Sequence, residues 1–283
     1  MSNRSHDLVG RFREMPFPAN GNTVYALMEE GRRRHHVTGL VEVDVTRARN
    51  AIRDYRTRTG RGLSFTAWVV KCIAQAMVEH PATRTFRKGG RRMVLFEDVD
   101  AGVIVERTVG GVRMPLPYII RRADRKTLGE IHDEIRSAQS QELTGRELVL
   151  GVGPAPWYAP FFRRLPPFLQ RLQFRAIARR PLLAKRIQGT VGITAVGMFG
   201  RMTGWALTVG LHTVDFALGS IVKKPGVVDG RIEVREYLDM TVLIDHDLID
   251  GAPAARFVGR LTELMEMRGA PSALFGQEHV GQD

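Results

Sequence analysis

One cysteine, Cys72, stands in 283 residues. A single thiol excludes a disulfide framework and a four-cysteine zinc site, and it favours a reducing, cytosolic setting. No stretch approaches the ~18 uninterrupted apolar residues of a membrane-spanning helix. The polar start, MSNRSHDLVGRFRE, lacks the apolar core of a secretory signal. Aromatics are sparse at 7%, while 43% apolar and 25% charged residues suit a globular chain with one large core. Acid is missing from one stretch altogether: residues 156–187 hold seven arginines, one lysine and no Asp or Glu. Much of the net charge of +12 sits there, and a basic excess calls for an anionic partner such as nucleic acid, a membrane surface or a phosphorylated ligand.

What is present reads as strands mixed with a few long helices, without strict alternation. Helices are predicted over 23–33, 64–81, 124–143 and 251–267, and strands over 36–45, 93–97, 101–106, 115–120, 189–195, 216–223 and 232–244. Ser64 is placed to cap its helix, Val69, Val70, Ile73, Ala76 and Met77 to face a core, and Pro81 to stop it. Gly110-Gly111 marks a hairpin turn. The pattern points to an α+β fold around a mixed sheet, with a flexible arm at 1–16, one domain at 17–270 and a mobile tail at 271–283.

The stretch LIDHDLIDGAPAARF, 243–257, concentrates chemistry. Leu238, Met240, Val242 and Ile244 alternate along a strand, and His246 continues their inward parity. A histidine buried that way needs hydrogen-bond partners. Asp250 sits where a carboxylate caps a helix, and Gly251 permits the turn into it. By the residues alone, this is as readily a structural histidine and a capping aspartate as a catalytic pair. Zinc fits poorly, since His246 and Asp250 supply two ligands and no cluster supplies the rest. No GxSxG elbow accompanies a nucleophile.

The run Asp245-His246-x-x-x-Asp250-Gly251-Ala252-x-x-Ala255-Arg256-Phe257 resembles the DHRxxDGAxAARF signature of the acyltransferase (E2) components of 2-oxo acid dehydrogenases. EVDVT at 42–46, SFTAWVVKCIAQAM at 64–77, VDAGVIVERTVGGVRMPLPYIIRRADRKTLGEI at 99–131 and GTVGITAVGMFG at 189–200 resemble further blocks of that family, in its order. The likeness runs from about residue 17 to 267, the basic stretch excepted. It implies a chloramphenicol-acetyltransferase-like α+β sandwich, with a mixed β-sheet and flanking helices, that forms trimers with active sites between subunits. It also implies an acyltransferase acting on a thioester of coenzyme A or another pantetheine or lipoyl thiol. Coenzyme A is then a substrate, with no metal and no lipoyl lysine in this chain. The family's general base falls on His246, its orienting residue on Asp250 and its oxyanion donor on Thr194, 52 residues before the histidine. Without the motif Thr194 reads only as a β-branched strand residue. Gly197 and Gly200 fall near the pantetheine channel, or serve only as loop glycines.

Four features depart from the family. The chain begins almost at the catalytic domain, which implies a stand-alone form without lipoyl or subunit-binding domains. Asp247 replaces the arginine after the histidine, and an acid there would alter the base or its substrate preference. Leu27 occupies the place of an N-terminal arginine that pairs with the family's aspartate, which leaves Asp250 without its expected partner. The 156–187 insertion interleaves aromatics with arginines and has helical character from Pro167 to Arg180. It reads either as a lid with solvated arginines or as an element facing an anionic membrane or a lipid substrate. Nucleic acid is set aside because no recognised binding motif accompanies the charge. The expected setting is cytoplasmic, extending to the inner membrane face. The competing functions are a non-catalytic trimeric scaffold and a membrane-surface binding protein with the same fold.

Overall fold

The computed structural model describes residues 10–17, 21–109, 112–140, 165–197 and 203–268, with the backbone alone at 107–109 and 112–114. The Gly110-Gly111 turn, Gly200, the 156–164 part of the insertion and the 271–283 tail lie outside the described residues. Residues 10–17 run exposed, without helix or strand.

Chain order is α1 (Gly21–Gly31), β1 (His36–Asp44), α2 (Thr46–Thr59), α3 (Phe65–Glu79), a 3-10 turn at Pro81–Arg84, β2 (Thr85–Lys88), β3 (Arg92–Leu95), β4 (Ala101–Val109), β5 (Val112–Ile120), α4 (Leu128–Ser140), α5 (Pro167–Ala178), α6 (Pro181–Gln188), β6 (Val191–Ala195), β7 (Val214–Val228), β8 (Arg231–Asp245) and α7 (Gly251–Met265). Six strands form one sheet in the order β1-β8-β7-β6-β4-β5. β6 runs parallel to both β4 and β7, and the remaining pairs are antiparallel. β2 and β3 make a separate hairpin. The mixed sheet with flanking helices is the expected α+β arrangement.

One face of the sheet carries the core. α3 buries Trp68, Val69, Val70, Ile73, Ala76 and Met77 completely, and Ser64 Oγ accepts the Ala67 N–H at 3.4 Å as its N-cap. Burying one such large apolar side chain is worth about 1.5–3 kcal/mol. α4 adds Leu128, Ile131 and Ile135, and α7 adds Phe257, Leu261 and Met265, against Val103, Ile193, Phe216, Met240 and Val242 of the sheet. The residues that alternate with these, Thr194, Asp215, Ala217, Thr241, Leu243 and Asp245, make the opposite face, which mixes polar and apolar side chains. Thr241 keeps a buried hydroxyl with no hydrogen-bond partner among the described residues.

The hairpin is tied down by Arg84. Its buried guanidinium donates to the carbonyls of Met77, Val78, Phe96 and Glu97, two of them at the negative end of α3. α6 packs Ala184 beside Phe86 and Phe96 in a second, smaller apolar cluster, and its Lys185 lies 3.6 Å from Asp100. Among the described residues no helix is long and apolar enough to cross a membrane. Sequence periodicity missed α2, whose Arg- and Thr-rich run buries only Ala48, and α6.

Candidate active site

β8 ends at Asp245, and His246 opens the turn that leads to α7. His246 is exposed, which corrects the inward parity read from the sequence. Alternation carries no information there, because the last eight residues of β8 are buried on both faces. The chain turns at Asp245, before His246 can enter the fold.

Asp245 builds the turn. Its N–H donates to Thr213 O at 2.9 Å, and its carbonyl accepts from Leu248 and Ile249 N–H, both at 3.1 Å. Its carboxylate accepts Asp247 N–H at 3.1 Å and Arg34 Nη1 at 3.1 Å. His246 N–H donates to His35 O at 3.0 Å. The backbone of the histidine is therefore fixed on both sides, while its imidazole has no hydrogen-bond partner among the described residues.

Asp247 makes its side-chain hydrogen bonds to residues other than that imidazole. His35 Nδ1 lies 2.9 Å from one of its oxygens and Arg87 Nη1 3.3 Å from the other. The hydrogen bond to Asp247 raises the pKa of His35 above its ordinary value, and the same bond, joined by the charge of Arg87, lowers that of Asp247. Asp247 is thus held by a histidine and an arginine.

Asp250 stands at the N-cap position of α7 and is exposed, but its side chain makes no cap hydrogen bond. The sequence expectation of a capping carboxylate is corrected to a capping position only. Arg34, in the turn before β1, takes the aspartate at the other end of the motif, Asp245. Sequence reasoning missed this pairing because it sought an arginine at position 27, inside the helix.

Thr194 lies half-buried on β6. It is level with Ala217 on β7, and Ala217 is level with Thr241 on β8. His246 lies five residues past Thr241, so the two candidates are separated by roughly 16 Å along the strands and about 10 Å across them. One chain does not bring them together. Gly197 follows β6, and a side chain there would meet Gly219 O at 1.8 Å, where β7 is irregular between Leu218 and Ile221. Its N–H already donates to Leu218 O at 3.2 Å.

Beneath the site lies a buried pair that the sequence left unassigned. His212 Nδ1 sits 2.5 Å from Asp215 Oδ1, and the other carboxylate oxygen accepts the N–H groups of Leu211 and His212, both at 2.8 Å. His36 Nε2 bonds to His212 O at 2.9 Å. Burial pushes the Asp215 carboxyl up, but His212, its backbone N–H and His36 outweigh this and hold it below the usual carboxylate value. Among the described residues no group of three or more His, Cys, Asp or Glu is placed to hold a metal ion.

The model of the 2-oxoacid dehydrogenases acyltransferase catalytic domain matches residues 18–147 and 169–275. The chain belongs to this family; the unmatched gap, 148–168, takes in only the start of the 156–187 stretch, and the rest of it, most of α5 and all of α6, lies within the matched domain, which corrects the expectation that the whole stretch departs from the family. It is 26% identical over 237 residues to the lipoamide acyltransferase component of the branched-chain alpha-keto acid dehydrogenase complex of Bacillus subtilis, covering 82% of this chain and 46% of that protein. It is 24% identical over 246 residues to the dihydrolipoyllysine-residue succinyltransferase component of the 2-oxoglutarate dehydrogenase complex of Staphylococcus saprophyticus, covering 85% and 49%. The chain spans about half the length of these curated relatives. Its fold is that of a probable dihydrolipoamide acetyltransferase from Listeria monocytogenes, with a TM-score of 0.62 at 20% identity over 95% of this chain and 98% of that one. It is equally that of the Azotobacter vinelandii dihydrolipoamide acetyltransferase, in which a serine, a histidine and an asparagine were investigated for catalytic roles. There the TM-score is 0.65 at 20% identity over 91% and 92%.

Proposed function

We propose that the chain is an acyltransferase that moves an acyl group between a thioester and an acceptor thiol or hydroxyl. Coenzyme A, or another pantetheine or lipoyl thiol, is the proposed thioester partner. His246 takes the proton of the acceptor as that group attacks the thioester carbonyl. The carbon–sulfur bond then breaks, and the proton passes from His246 to the departing thiolate. Thr194 of a neighbouring subunit donates its hydroxyl hydrogen bond to the oxyanion that forms between the two steps. Asp250 borders the histidine turn as the orienting residue, and Gly197 lets the chain after β6 pack close to β7 beside the thioester's path.

The observation that carries this reading is the separation of Thr194 from His246. One side chain is exposed on a hydrogen-bonded turn, the other lies half-buried on β6, and a shared carbonyl requires each within roughly 3 Å of its reacting atom. Acting on one carbonyl, the two residues need a second chain to complete the site, which agrees with the trimer that the family resemblance implies. The intervals support the assignment. His246 and Asp250 are four residues apart and Thr194 and His246 are 52 apart, the same spacings as the three residues studied in the Azotobacter protein.

Subunit complementation tests it, with acetyl-coenzyme A as donor and dihydrolipoamide as acceptor. His246→Ala alone is expected to lower turnover by about 10² or more, and Thr194→Val by about 10²–10³. Trimers formed from an equal mixture of the two inactive variants should recover about a quarter of wild-type turnover, because one interface in four then pairs an intact histidine with an intact threonine. No recovery from mixed trimers would place both residues in separate roles within one chain. Wild-type-like turnover in His246→Ala would remove the general base and favour a scaffold.

A further inference from the structure

We propose that the outward face of α5 and α6 is a docking surface for an anionic lipid bilayer. The inner side of α5 is occupied: Gln170 is 2% exposed and bonds Thr23 Oγ1 of α1 at 3.1 Å and Leu165 O at 2.8 Å. Leu169, Phe174 and Ile177 share its covered side. The opposite side is left to solvent. Phe168 is 60% exposed, Leu172 61% and, on α6, Leu182 70%. Packing among the described residues does not explain three large apolar side chains presented outward from two short helices. Tyr25 of α1, also exposed, adjoins this surface, with Arg171 lying over its ring at 5.9 Å.

Charge selects the partner. Arg171, Arg175, Arg179, Arg180 and Arg186 are exposed along the same two helices, and residues 165–188 contain no acid. The acids of α1, Glu29 and Glu30, are already paired with Arg32 and Arg33. On the helix, Arg171, Arg175 and Arg179 fall within the same stripe as Phe168 and Leu172, one turn apart. Arginine can spread its charged end to phosphates while its stem lies on apolar material. Apolar and basic side chains mixed along one stripe therefore suit a surface that is anionic at one depth and apolar just beneath it, which is a bilayer interface. An acidic protein would satisfy the arginines and leave the exposed Phe168, Leu172 and Leu182 to be matched one by one.

Co-sedimentation of the full chain with vesicles is the test. Mixed phosphatidylcholine–phosphatidylserine vesicles should pellet it at low salt, and pure phosphatidylcholine should not. Raising the salt should release it. Phe168→Ser with Leu172→Ser should weaken binding about tenfold or more, and Arg175→Gln and Arg179→Gln about fivefold each. Because these side chains are exposed, thermal midpoint and oligomeric state should match wild type. Failure to pellet at low salt, or pelleting that none of the variants weakens, overturns the proposal. Retention on immobilised polyglutamate without vesicle binding replaces the bilayer with an acidic protein. A change of oligomeric state in the apolar pair makes this face a subunit contact instead.

Discussion

Arg34 and Asp245 hold each other at 3.1 Å across the space between the turn before β1 and the end of β8, with Asp245 nearly buried and Arg34 about four-fifths buried. The carboxylate's remaining oxygen accepts the N–H of Asp247, so this ion pair braces the residues on either side of His246. Removing one member of a buried pair costs about 3–5 kcal/mol, because the other charge is stranded. Arg34→Met should therefore lower stability by a few kcal/mol in urea unfolding. Under conditions where the variant is still folded, kcat should fall with little change in KM. Arg34→Lys, which keeps the charge, should recover part of both. Unchanged kcat in folded Arg34→Met would show that the turn holds its shape without the ion pair.

His35 and Asp247 form the outer pair of the same turn. The raised His35 pKa means that its share of the interaction is complete below the ordinary histidine value of about 6.5 and fades as pH rises through the folded value. The lowered Asp247 pKa removes the interaction only at acid pH, as the carboxylate protonates. The window for the pair thus runs from below the usual aspartate range to above the usual histidine range. A proton NMR titration of the His35 ring should give a midpoint above 6.5, and Asp247→Asn should return it to about that value. A midpoint that does not respond to the substitution would remove Asp247 as the cause.

Gly197→Ala tests how the strand bearing Thr194 is seated. The added methyl would lie 1.8 Å from Gly219 O and 2.3 Å from Gly219 C, both backbone atoms. Backbone cannot yield as a side-chain end does, so the segment after β6 must move. A stability loss of about 1–3 kcal/mol is expected, together with a fall in turnover that exceeds any change in substrate affinity. Wild-type stability and turnover would mean that the irregular part of β7 gives way freely.

Much of this was legible beforehand. The α3 helix, its Ser64 cap and its core face followed from periodicity and capping, because that helix is buried on one side by a single large sheet. The sheet's composition followed from strands that carry β-branched runs. The candidate residues were legible through a motif, and the structure places each described one where the chain turns or a strand is half-covered. What escaped was set by tertiary contact. Strand alternation places His246 inward because it assumes one wet face, and the end of β8 has none. Local sequence predicts a capping side chain at Asp250, yet its carboxylate makes no cap bond. Arg34, Arg87 and His35 carry no local signal, since each meets the 245–247 turn from 160 or more residues away in the chain. The Asp215 carboxylate likewise looks like any strand residue until His36 and His212 are folded around it.

That carboxylate supports the last expectation. Asp215 is 7% exposed and accepts two backbone N–H groups besides the His212 ring. A folded pKa held below the unfolded value adds stability that is present above about pH 4 and is lost as pH falls through the folded value. Asp215→Asn keeps an oxygen for the two N–H groups but loses the negative charge opposite His212 and His36. It should destabilise the fold at neutral pH by about 1–3 kcal/mol, and the difference from wild type should shrink as the pH is lowered through the acid limb. Urea unfolding at several pH values reads both effects. A gap that stays constant down to acid pH would show that Asp215 acts through hydrogen-bond geometry alone, and the buried pair would then contribute nothing through its charge.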